Sequence, residues 1–442
     1  MPPSGRASPS VSSSGFPQVL NADVAVIGGG VIGHGIAWEA RRSGRSVVLI
    51  DDAPGSGASW AAAGMLAPVS ELHYQEEDLL ELMLESSGLW PDFAADLVDA
   101  SKQDPGYLAT PTIAVGVDAA DRRALMDLRS VQQANGLEVE PLMVREARAR
   151  EGLLSPAISC ALDIPADHQV DPRKLVACLR RVLASHDPGS KTFVEGAPDG
   201  FAAPDRATSL LWQDGRVSGV RLAHGGTVLA CETVVANGLQ AASLEGLPEG
   251  LQLPLRPVHG DILRLAVPHH LRPLVTSTVR GLVHGVPVYI VPRQDGTVVI
   301  GATQREDALS ATGDAAVSAG GVYQLLRDAQ ALVPAVAELE LLESTARARP
   351  GTPDNAPLLG RVRMPRNTSQ GGTVQDGEEE ISGLIIATGF FRHGVLLTPA
   401  AAVICRSLMD GNEDPRWRVF SPARFSGRHR SASTPDPQKE SA

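Results

Sequence analysis

The stretch DVAVIGGGVIG, residues 23–33, is the most informative part of this sequence for the fold class. Its apolar run, 24–27, is typical of a short strand buried in a parallel sheet, and it ends in glycines. A helix-like stretch follows to about Arg42, and residues 47–50 read as a second buried strand. The two apolar strands, with the glycine turn and the helix-like stretch between them, therefore predict one βαβ unit near the start of the chain.

The glycines of this unit have the spacing of a dinucleotide-binding motif. Gly28 permits a tight turn out of the strand, Gly30 leaves space for a pyrophosphate, and Gly33 lets the helix pack closely on the sheet. The free N–H groups and the dipole of the helix start favour an anion there. Asp51, at the end of the second strand, is placed to accept hydrogen bonds from ribose hydroxyls. The motif alone does not distinguish FAD from NAD.

Composition narrows the class of protein. The chain has 442 residues, of which 43% are hydrophobic, so a soluble protein with a large buried core is expected. Its formal net charge of −12 argues against nucleic-acid binding. No pair of its four cysteines has CxxC spacing, so no metal site is predicted. No apolar run reaches the roughly 18 residues that a membrane span needs. We therefore expect a cytoplasmic protein that begins with a disordered extension, residues 1–20, rich in Ser, Pro and Gly.

A second type of sheet is predicted further along the chain. Residues 289–292 and 297–300 flank Gln294-Asp295-Gly296 and read as a β-hairpin, so this region is antiparallel. The predicted fold class is α/β with an α+β second domain, in which a Rossmann-like domain is interleaved with a substrate domain. The predicted boundaries are 21–85, 168–245 and 341–420 for the nucleotide-binding domain, 86–167 and 246–340 for the substrate domain, 366–380 for a flexible insertion and 426–442 for a disordered tail.

Two further segments have side chains suited to ligand binding. Residues 57–65, GASWAAAGM, are small enough to let backbone lie against a large flat ligand, and Ser59 could reach a phosphate. A packed Ala-rich helix explains the same composition. Arg349 precedes Pro350 in an extended segment, where its guanidinium suits a substrate carboxylate. A surface arginine is the alternative there.

The segment GFFRHG, residues 389–394, lies between a predicted buried strand and a predicted helix. Such a helix start can stabilise negative charge on a reduced flavin, and Arg392 could add a second charge near the substrate. His393 is expected to be solvated. Tyr289 on the hairpin could bind a carboxylate, although core packing explains it equally well.

In this order, these segments resemble the D-amino-acid-oxidase-like flavoprotein family, and within it the glycine-oxidising members of thiamine biosynthesis. The most specific match is GASWAAAGMLAP at 57–68, supported by residues 289–292, 301–303, 349–352 and 392–399. The resemblance covers about residues 23–410. It implies non-covalently bound FAD and a homo-oligomer, specifically a tetramer.

The family's functional positions carry over residue by residue. The resemblance implies that Arg349 binds the substrate carboxylate and that Arg392, Tyr289 and Met65 contact the substrate. Phe390 and His393 depart from the family, where His and Asn are common. The positions implied for the cofactor are Gly28, Gly30, Val31, Ile32, Gly33, Asp51, Asp52, Ala58, Ser59, Ala63, Gly64, Met65, Val170 at the adenine end, and Phe390, Phe391, Arg392, His393, Gly394, Val395 and Leu396 past the flavin.

The implied reaction is the FAD-dependent oxidation of glycine or a similar small amino acid. Hydride passes from the α-carbon to flavin N5, O2 reoxidises the flavin to give H2O2, and the imine supplies thiazole synthesis for thiamine. One alternative is a D-amino acid, sarcosine or proline dehydrogenase with a non-oxygen acceptor. Another is a catalytically silent FAD-binding subunit of a complex.

Overall fold

The computed structural model describes residues 19–74, 76–184, 190–306, 316–365 and 378–426. The α-helices of these residues are α1 (Val31–Arg42), α2 (Ala58–Ala61), α3 (Glu77–Ser101), α4 (Ala119–Ala134), α5 (Val144–Arg150), α6 (Pro172–Ala184), α7 (Ala319–Leu332) and α8 (Thr398–Met409). The strands are β1 (Val19–Ile27), β2 (Val47–Ile50), β3 (Met65–Leu66), β4 (Thr112–Gly116), β5 (Glu140–Leu142), β6 (Cys160–Ile164), β7 (His168–Gln169), β8 (Ala202–Ala203), β9 (Ala207–Gln213), β10 (Arg216–Leu222), β11 (Thr227–Val235), β12 (Arg256–Ala266), β13 (Thr278–Val283), β14 (Val286–Pro292), β15 (Thr297–Gly301), β16 (Glu340–Gly351), β17 (Leu358–Pro365) and β18 (Glu378–Thr388).

The first sheet contains the predicted βαβ unit. Its strand order is β17-β18-β11-β1-β2-β8, with β9 and β10 attached to β11. Strands β18, β11, β1, β2 and β8 run parallel, and β17 pairs antiparallel at the edge. Residues 24–27 of β1 are at most 2% exposed, because they are covered on both faces. This confirms the α/β fold class and the two strands predicted on either side of α1.

Helices cover one face of this sheet. The apolar side chains of α1, α3, α6 and α8 share a core with β1, β2, β11 and β18. α1 is buried on most of its surface, since it contacts both α6 and α8, and its C-terminal turn carries Arg41 and Arg42. The opposite face is covered by β9, β10 and the chain around residues 194–203. This packing fixes the position of the glycine turn that starts α1.

The second sheet is the predicted antiparallel one, with strand order β16-β12-β15-β14-β13-β4-β6-β5. All its neighbours are antiparallel except β13 and β4. The predicted hairpin is β14–β15, in which Tyr289 lies opposite Gly301. The apolar side of α7 packs on this sheet. The short pair β3–β7 joins the segment after the glycine-rich region to the start of α6.

Several predicted boundaries are wrong. β1 begins at Val19, so the last two residues of the predicted extension 1–20 pair with β11. β18 begins at Glu378, inside the predicted insertion 366–380, because its polar start pairs with β17 at an exposed edge where apolar side chains are not required. Ser426, placed in the tail, accepts a hydrogen bond from the Gln252 amide. Residues 1–18, 366–377 and 427–442, which include the rest of those predictions, lie outside the described residues.

Two domain limits also differ from the prediction. β16 lies beside β12 in the second sheet, although residues 341–420 were assigned to the nucleotide-binding domain. α3 runs straight through the predicted limit at residue 85 and packs on α6 and α8, so it belongs with the first sheet throughout. No helix in the described part of the chain is long and apolar enough to cross a membrane.

Candidate active site

The turn after β1 and the first turn of α1 each contain one position with space for nothing larger than glycine. Gly28 has a φ of +109°, and a Cβ there would lie 2.5 Å from the Ala236 carbonyl oxygen. A Cβ on Gly33 would lie 1.8 Å from the Gly28 carbonyl oxygen, because α1 passes directly over the turn. These contacts correspond to the tight turn and the close helix packing expected from the sequence.

Gly30 and Asp51 face the open side of the same turn. Gly30 has ordinary extended backbone at the N-cap of α1, and a Cβ there would meet only Ser59 Oγ, at 3.2 Å. Ser59 Oγ accepts a hydrogen bond from the Val31 amide at 3.0 Å. Asp51 accepts hydrogen bonds from the Gly29 and Ala53 amides at 2.6 and 2.7 Å, which fixes its carboxylate beside the helix start. This arrangement suits a pyrophosphate followed by a ribose.

A cavity of about 1130 Å³ runs from this turn to the second sheet. It brings together nearly all the residues that the sequence selects. Those that line it are Gly28, Gly30, Val31, Ile32, Asp51, Asp52, Ala58, Ser59, Ala63, Gly64, Met65, Tyr289, Arg349 and residues 390–396. Gly33 lies beneath the turn, where its role is packing.

Val170 does not line the cavity, so its expected contact with the adenine end is wrong. It is fully buried, its amide donates to the Gly64 carbonyl at 2.9 Å, and its carbonyl accepts from Arg293 Nη1 at 3.1 Å. The Val170 amide therefore holds the chain after β7 against Gly64, and the Val170 carbonyl is occupied by Arg293. At the turn end, the cavity is lined instead by Arg206 and by the first two residues of β9, Ala207 and Thr208.

The far end of the cavity holds Arg349 on β16 and Tyr289 on β14. Two glycines provide their space: a Cβ on Gly260 would lie 2.3 Å from Arg349 Nη1, and a Cβ on Gly301 would lie 2.4 Å from the Tyr289 hydroxyl. Burial raises the pKa of Tyr289 to about 12, against the opposing effect of the nearby Arg349 charge. Arg349 has no carboxylate partner among the residues that the structure describes. This end therefore offers a hydroxyl and an uncompensated guanidinium.

A four-residue charge cluster, Arg280, Glu71, Arg392 and Glu76, lies beside Tyr289 and was missed by the sequence analysis. Glu71 contacts the Arg280 guanidinium and lies 3.0 Å from Arg392 Nε, while Glu76 lies 2.7 Å from Arg392 Nη2. Burial alone would raise the pKa of Glu71, but the charges of Arg280 and Arg392 outweigh it and hold that pKa at about 2. The sequence feature that could have revealed the cluster is Arg280, a charged residue within the apolar strand β13. Arg280 pairs directly with Tyr289 on β14.

Comparison with known proteins gives the family. The FAD-dependent oxidoreductase family model matches residues 23–408, which is most of the chain. The chain belongs to this FAD-dependent oxidoreductase family. The resemblance stated from the sequence, the enzyme class and the FAD cofactor are thereby confirmed.

Individual relatives agree with the family. The chain is 33% identical over 401 residues to glycine oxidase of Geobacillus kaustophilus, covering 88% of this chain and 93% of that protein. The crystal structure of glycine oxidase from the same organism matches with a TM-score of 0.75 and 31% identity, covering 92% of this chain and 99% of that one. The bifunctional ThiO/ThiG protein of Trichormus variabilis is 29% identical over 408 residues, which are 92% of this chain and 55% of that protein.

The residues on the cavity wall fit FAD. Gly30 has no side chain, and the first turn of α1 contains no acidic residue, so this helix start suits the pyrophosphate. The carboxylate of Asp51 suits the adenosine. Residues 61–65 and 389–396 provide the small and apolar surface that a flavin ring would need. In this flavoprotein these groups would hold the cofactor between the two sheets.

The segment 58–65 is held by arginines rather than by helix formation. Only Ala58–Ala61 is helical. Arg293 donates to the Gln169 side chain at 3.0 Å and contacts the Ala63 carbonyl, and burial lowers its pKa to about 10. Arg173 stacks on Trp60 at 3.7 Å and donates to the Trp60 carbonyl at 3.1 Å. These contacts fix backbone that lines the FAD cavity, so the packed-helix interpretation is wrong for most of this segment.

His393 is buried, contrary to the solvated position expected for it. It is 2% exposed, and its carbonyl accepts from the Leu397 amide at 2.8 Å at the start of α8. Burial, assisted by the positive charge of Arg392, lowers its pKa to about 3. The turn that contains it is enclosed between the two sheets, which the local sequence did not reveal. A neutral imidazole therefore replaces the amide that relatives were expected to carry here.

Proposed function

We propose that this flavoprotein oxidises glycine or a similarly small amino acid to its imine, with O2 as the acceptor. The observation that supports it most directly is Arg349, a guanidinium without a carboxylate partner among the described residues, beside the Tyr289 hydroxyl in the FAD cavity. A substrate carboxylate would neutralise the Arg349 guanidinium through a bidentate pair of hydrogen bonds. The relatives named glycine oxidase support the same substrate.

The protein's own residues would bind and orient the substrate. Arg349 and Tyr289 would hold the carboxylate, which fixes the α-carbon and excludes other orientations. Residues 61–65 and 389–396 would hold the flavin ring, and the bound FAD would supply hydride acceptance from that α-carbon and two-electron reduction of O2 to H2O2. The start of α8 beyond residue 394 directs its dipole toward the cavity and would favour negative charge there.

The described cavity offers no strong general base to the substrate amine. Glu71 is already paired with two arginines. His393 has a pKa of about 3, and burial together with the charge of Arg392 lowers the pKa of His73, the other histidine on the cavity wall, so both imidazoles are neutral and weakly basic at physiological pH. The substrate must therefore react as the neutral amine. We propose that the imine either hydrolyses to the 2-oxo acid or supplies thiazole synthesis for thiamine, in keeping with the similarity to the bifunctional ThiO/ThiG protein.

The test is steady-state turnover of the purified holoenzyme with glycine, sarcosine, D-alanine and L-alanine. Peroxide formed under air in proportion to amine consumed supports the proposal. Turnover only with an added quinone or dye would identify a dehydrogenase instead. A yellow protein that oxidises none of these amines with either acceptor would identify a silent FAD-binding subunit.

The pH dependence should follow the substrate rather than the protein. Glu71 has a pKa of about 2, His393 of about 3 and Tyr289 of about 12, and burial lowers the pKa of His73 on the same cavity wall below its ordinary value. None of these groups therefore changes charge between roughly pH 7 and 9. We expect log kcat/KM to rise with pH with a slope near one, as the neutral amine becomes more abundant. The check is a profile measured with two substrates of different amine pKa. An inflection at the same pH for both substrates would contradict the prediction and indicate a titrating protein group.

Gly260→Ala should weaken substrate binding without releasing FAD. The added Cβ would lie 2.3 Å from Arg349 Nη1, and the long side chain would move aside while the backbone stays in place. A displacement of this size should lower kcat/KM roughly ten- to a hundredfold. The matched control is Gly88→Ala, whose Cβ enters open space on the exposed side of α3. Equal kinetics for both variants would show that Arg349 does not anchor the substrate.

A further inference from the structure

The far end of the cavity, where the substrate carboxylate is proposed to bind, is called the substrate end. It contains the guanidinium groups of Arg280, Arg392 and Arg349, and the first two are already neutralised by carboxylates. Arg280 pairs with Glu71, and Arg392 lies 3.0 Å from Glu71 Oε2 and 2.7 Å from Glu76 Oε2. The side chains of these four residues are between 7% and 19% exposed, so solvent screens them little. Their charges sum to zero within the cluster.

Arg349 is therefore the cation beside this cluster that lacks a carboxylate among the described residues. Arg347, two residues earlier on β16, also lines the cavity without a carboxylate partner among those residues, but its side chain donates to the Ser56 carbonyl at 2.9 Å, near the turn that receives the cofactor. Glu71 lines the cavity, whereas Glu76 lies behind Arg392 and does not. A substrate with one carboxylate matches this arrangement, because that carboxylate would neutralise the charge of Arg349. A second carboxylate would have to approach Glu71, and two like charges in a poorly screened site repel each other strongly.

From this charge arrangement we infer that Glu71 is a specificity determinant that restricts the substrate to amines with a single carboxylate. The inference rests on the proposed function for the role of Arg349. Glu71 excludes dicarboxylates in two ways. Its own charge repels a second carboxylate, and its two ion pairs remove Arg280 and Arg392 as alternative partners.

Glu71→Gln should convert the site to one that accepts dicarboxylates. The amide keeps the size of the side chain and one acceptor oxygen, replaces the other oxygen with an NH2 donor, and leaves Arg280 without its paired carboxylate. We expect the affinity for malonate relative to acetate to rise roughly tenfold or more, since a charge-assisted contact in a closed site contributes at least one factor of ten. The readout is titration of the holoenzyme with each anion, followed by the absorbance change of the bound flavin, which requires no turnover.

Two matched variants separate the effect of position from that of charge. Glu76→Gln removes a carboxylate from Arg392, which Glu71 also contacts, but it does so behind the cavity wall, so the malonate-to-acetate ratio should change much less. Glu232→Gln removes a carboxylate from a comparable pair with Arg361, outside the cavity lining, and should leave the ratio unchanged. Equal effects of all three variants would overturn the inference, because the response would then reflect net charge alone.

A reciprocal variant covers the case in which Glu71→Gln fails to fold or to retain FAD. Arg280→Gln leaves the negative charge of Glu71 less compensated, so malonate affinity should fall more than acetate affinity. An equal loss for both anions would overturn the inference. The kinetic counterpart is the pair sarcosine and iminodiacetate, which differ by one carboxylate, and Glu71→Gln should favour the latter.

The outcomes also separate this inference from the proposed function. A wild-type holoenzyme that binds acetate but oxidises no amine would refute the proposed function while leaving the anion selectivity testable. A wild type that oxidises glycine, with an unchanged malonate-to-acetate ratio in Glu71→Gln, would refute the inference alone.

Discussion

Replacing Gly30 by valine is expected to abolish FAD binding while the chain still folds. Gly30 has a φ of −77° and a ψ of −177°, extended backbone that a β-branched residue adopts readily. A Cβ there would meet only Ser59 Oγ at 3.2 Å, so the added side chain would project into the cavity where the pyrophosphate belongs. We expect affinity for FAD to fall roughly a hundredfold or more, at about 1.4 kcal/mol for each factor of ten.

The measurement is the flavin absorbance of the purified protein, followed by titration of apoprotein with FAD. The control is Gly152→Val, whose Cβ enters open space away from the cavity. Gly33→Val gives the contrasting result, because its Cβ would lie 1.8 Å from the Gly28 carbonyl oxygen and should disrupt folding itself. A Gly30→Val protein that retains one FAD per chain would show that the pyrophosphate does not bind at this turn.

The cofactor half of the site could be predicted because its determinants are local. Gly28, Gly30 and Gly33 act within six residues of one another, and Asp51 ends the next strand of the same βαβ unit. Strand, turn and helix start are fixed by the pattern of apolar residues and glycines, which is visible in one stretch of sequence. The hairpin that carries Tyr289 was found for the same reason.

The substrate half could be predicted only in part, because it is assembled from distant segments. Arg280 and Glu71 are 209 residues apart in sequence and meet only when β13 packs beside the turn after β3. His393 reads as a polar loop residue, and its burial depends on two sheets closing over the turn. Nothing in the local pattern shows that the charge of Arg392, expected to meet substrate, is shared by two carboxylates.

The boundary errors have the same origin. The pairing of β16 with β12 takes residues 340–351 into the second sheet, although the segment that follows returns to the first. The first residues of β18 are polar and were assigned to an insertion, yet they pair with β17. Hydrogen-bonded pairing at a sheet edge requires backbone groups rather than apolar side chains, so composition did not indicate it.

Arg349→Ala is expected to lower kcat/KM for glycine by roughly 30-fold to several thousand-fold. Truncating one member of a buried charge-assisted pair costs roughly 2 to 5 kcal/mol, much of it from leaving the partner charge unpaired, at about 1.4 kcal/mol for each factor of ten. Lysine at this position should restore activity only in part, since it lacks the planar pair of donors that binds a carboxylate. FAD content should remain normal, because Arg349 lies at the substrate end of the cavity beside Tyr289.

The control variant is Arg347→Ala on the same strand. Arg347 donates to the Ser56 carbonyl at 2.9 Å, near the turn that receives the cofactor, so its loss should affect FAD binding more than substrate selectivity. The decisive comparison uses a simple amine without a carboxylate, whose slow oxidation should hardly change in Arg349→Ala. If that variant loses FAD, or slows both kinds of substrate equally, Arg349 has a structural role. The carboxylate would then have to bind elsewhere, and the single uncompensated charge at this end of the cavity would need another explanation.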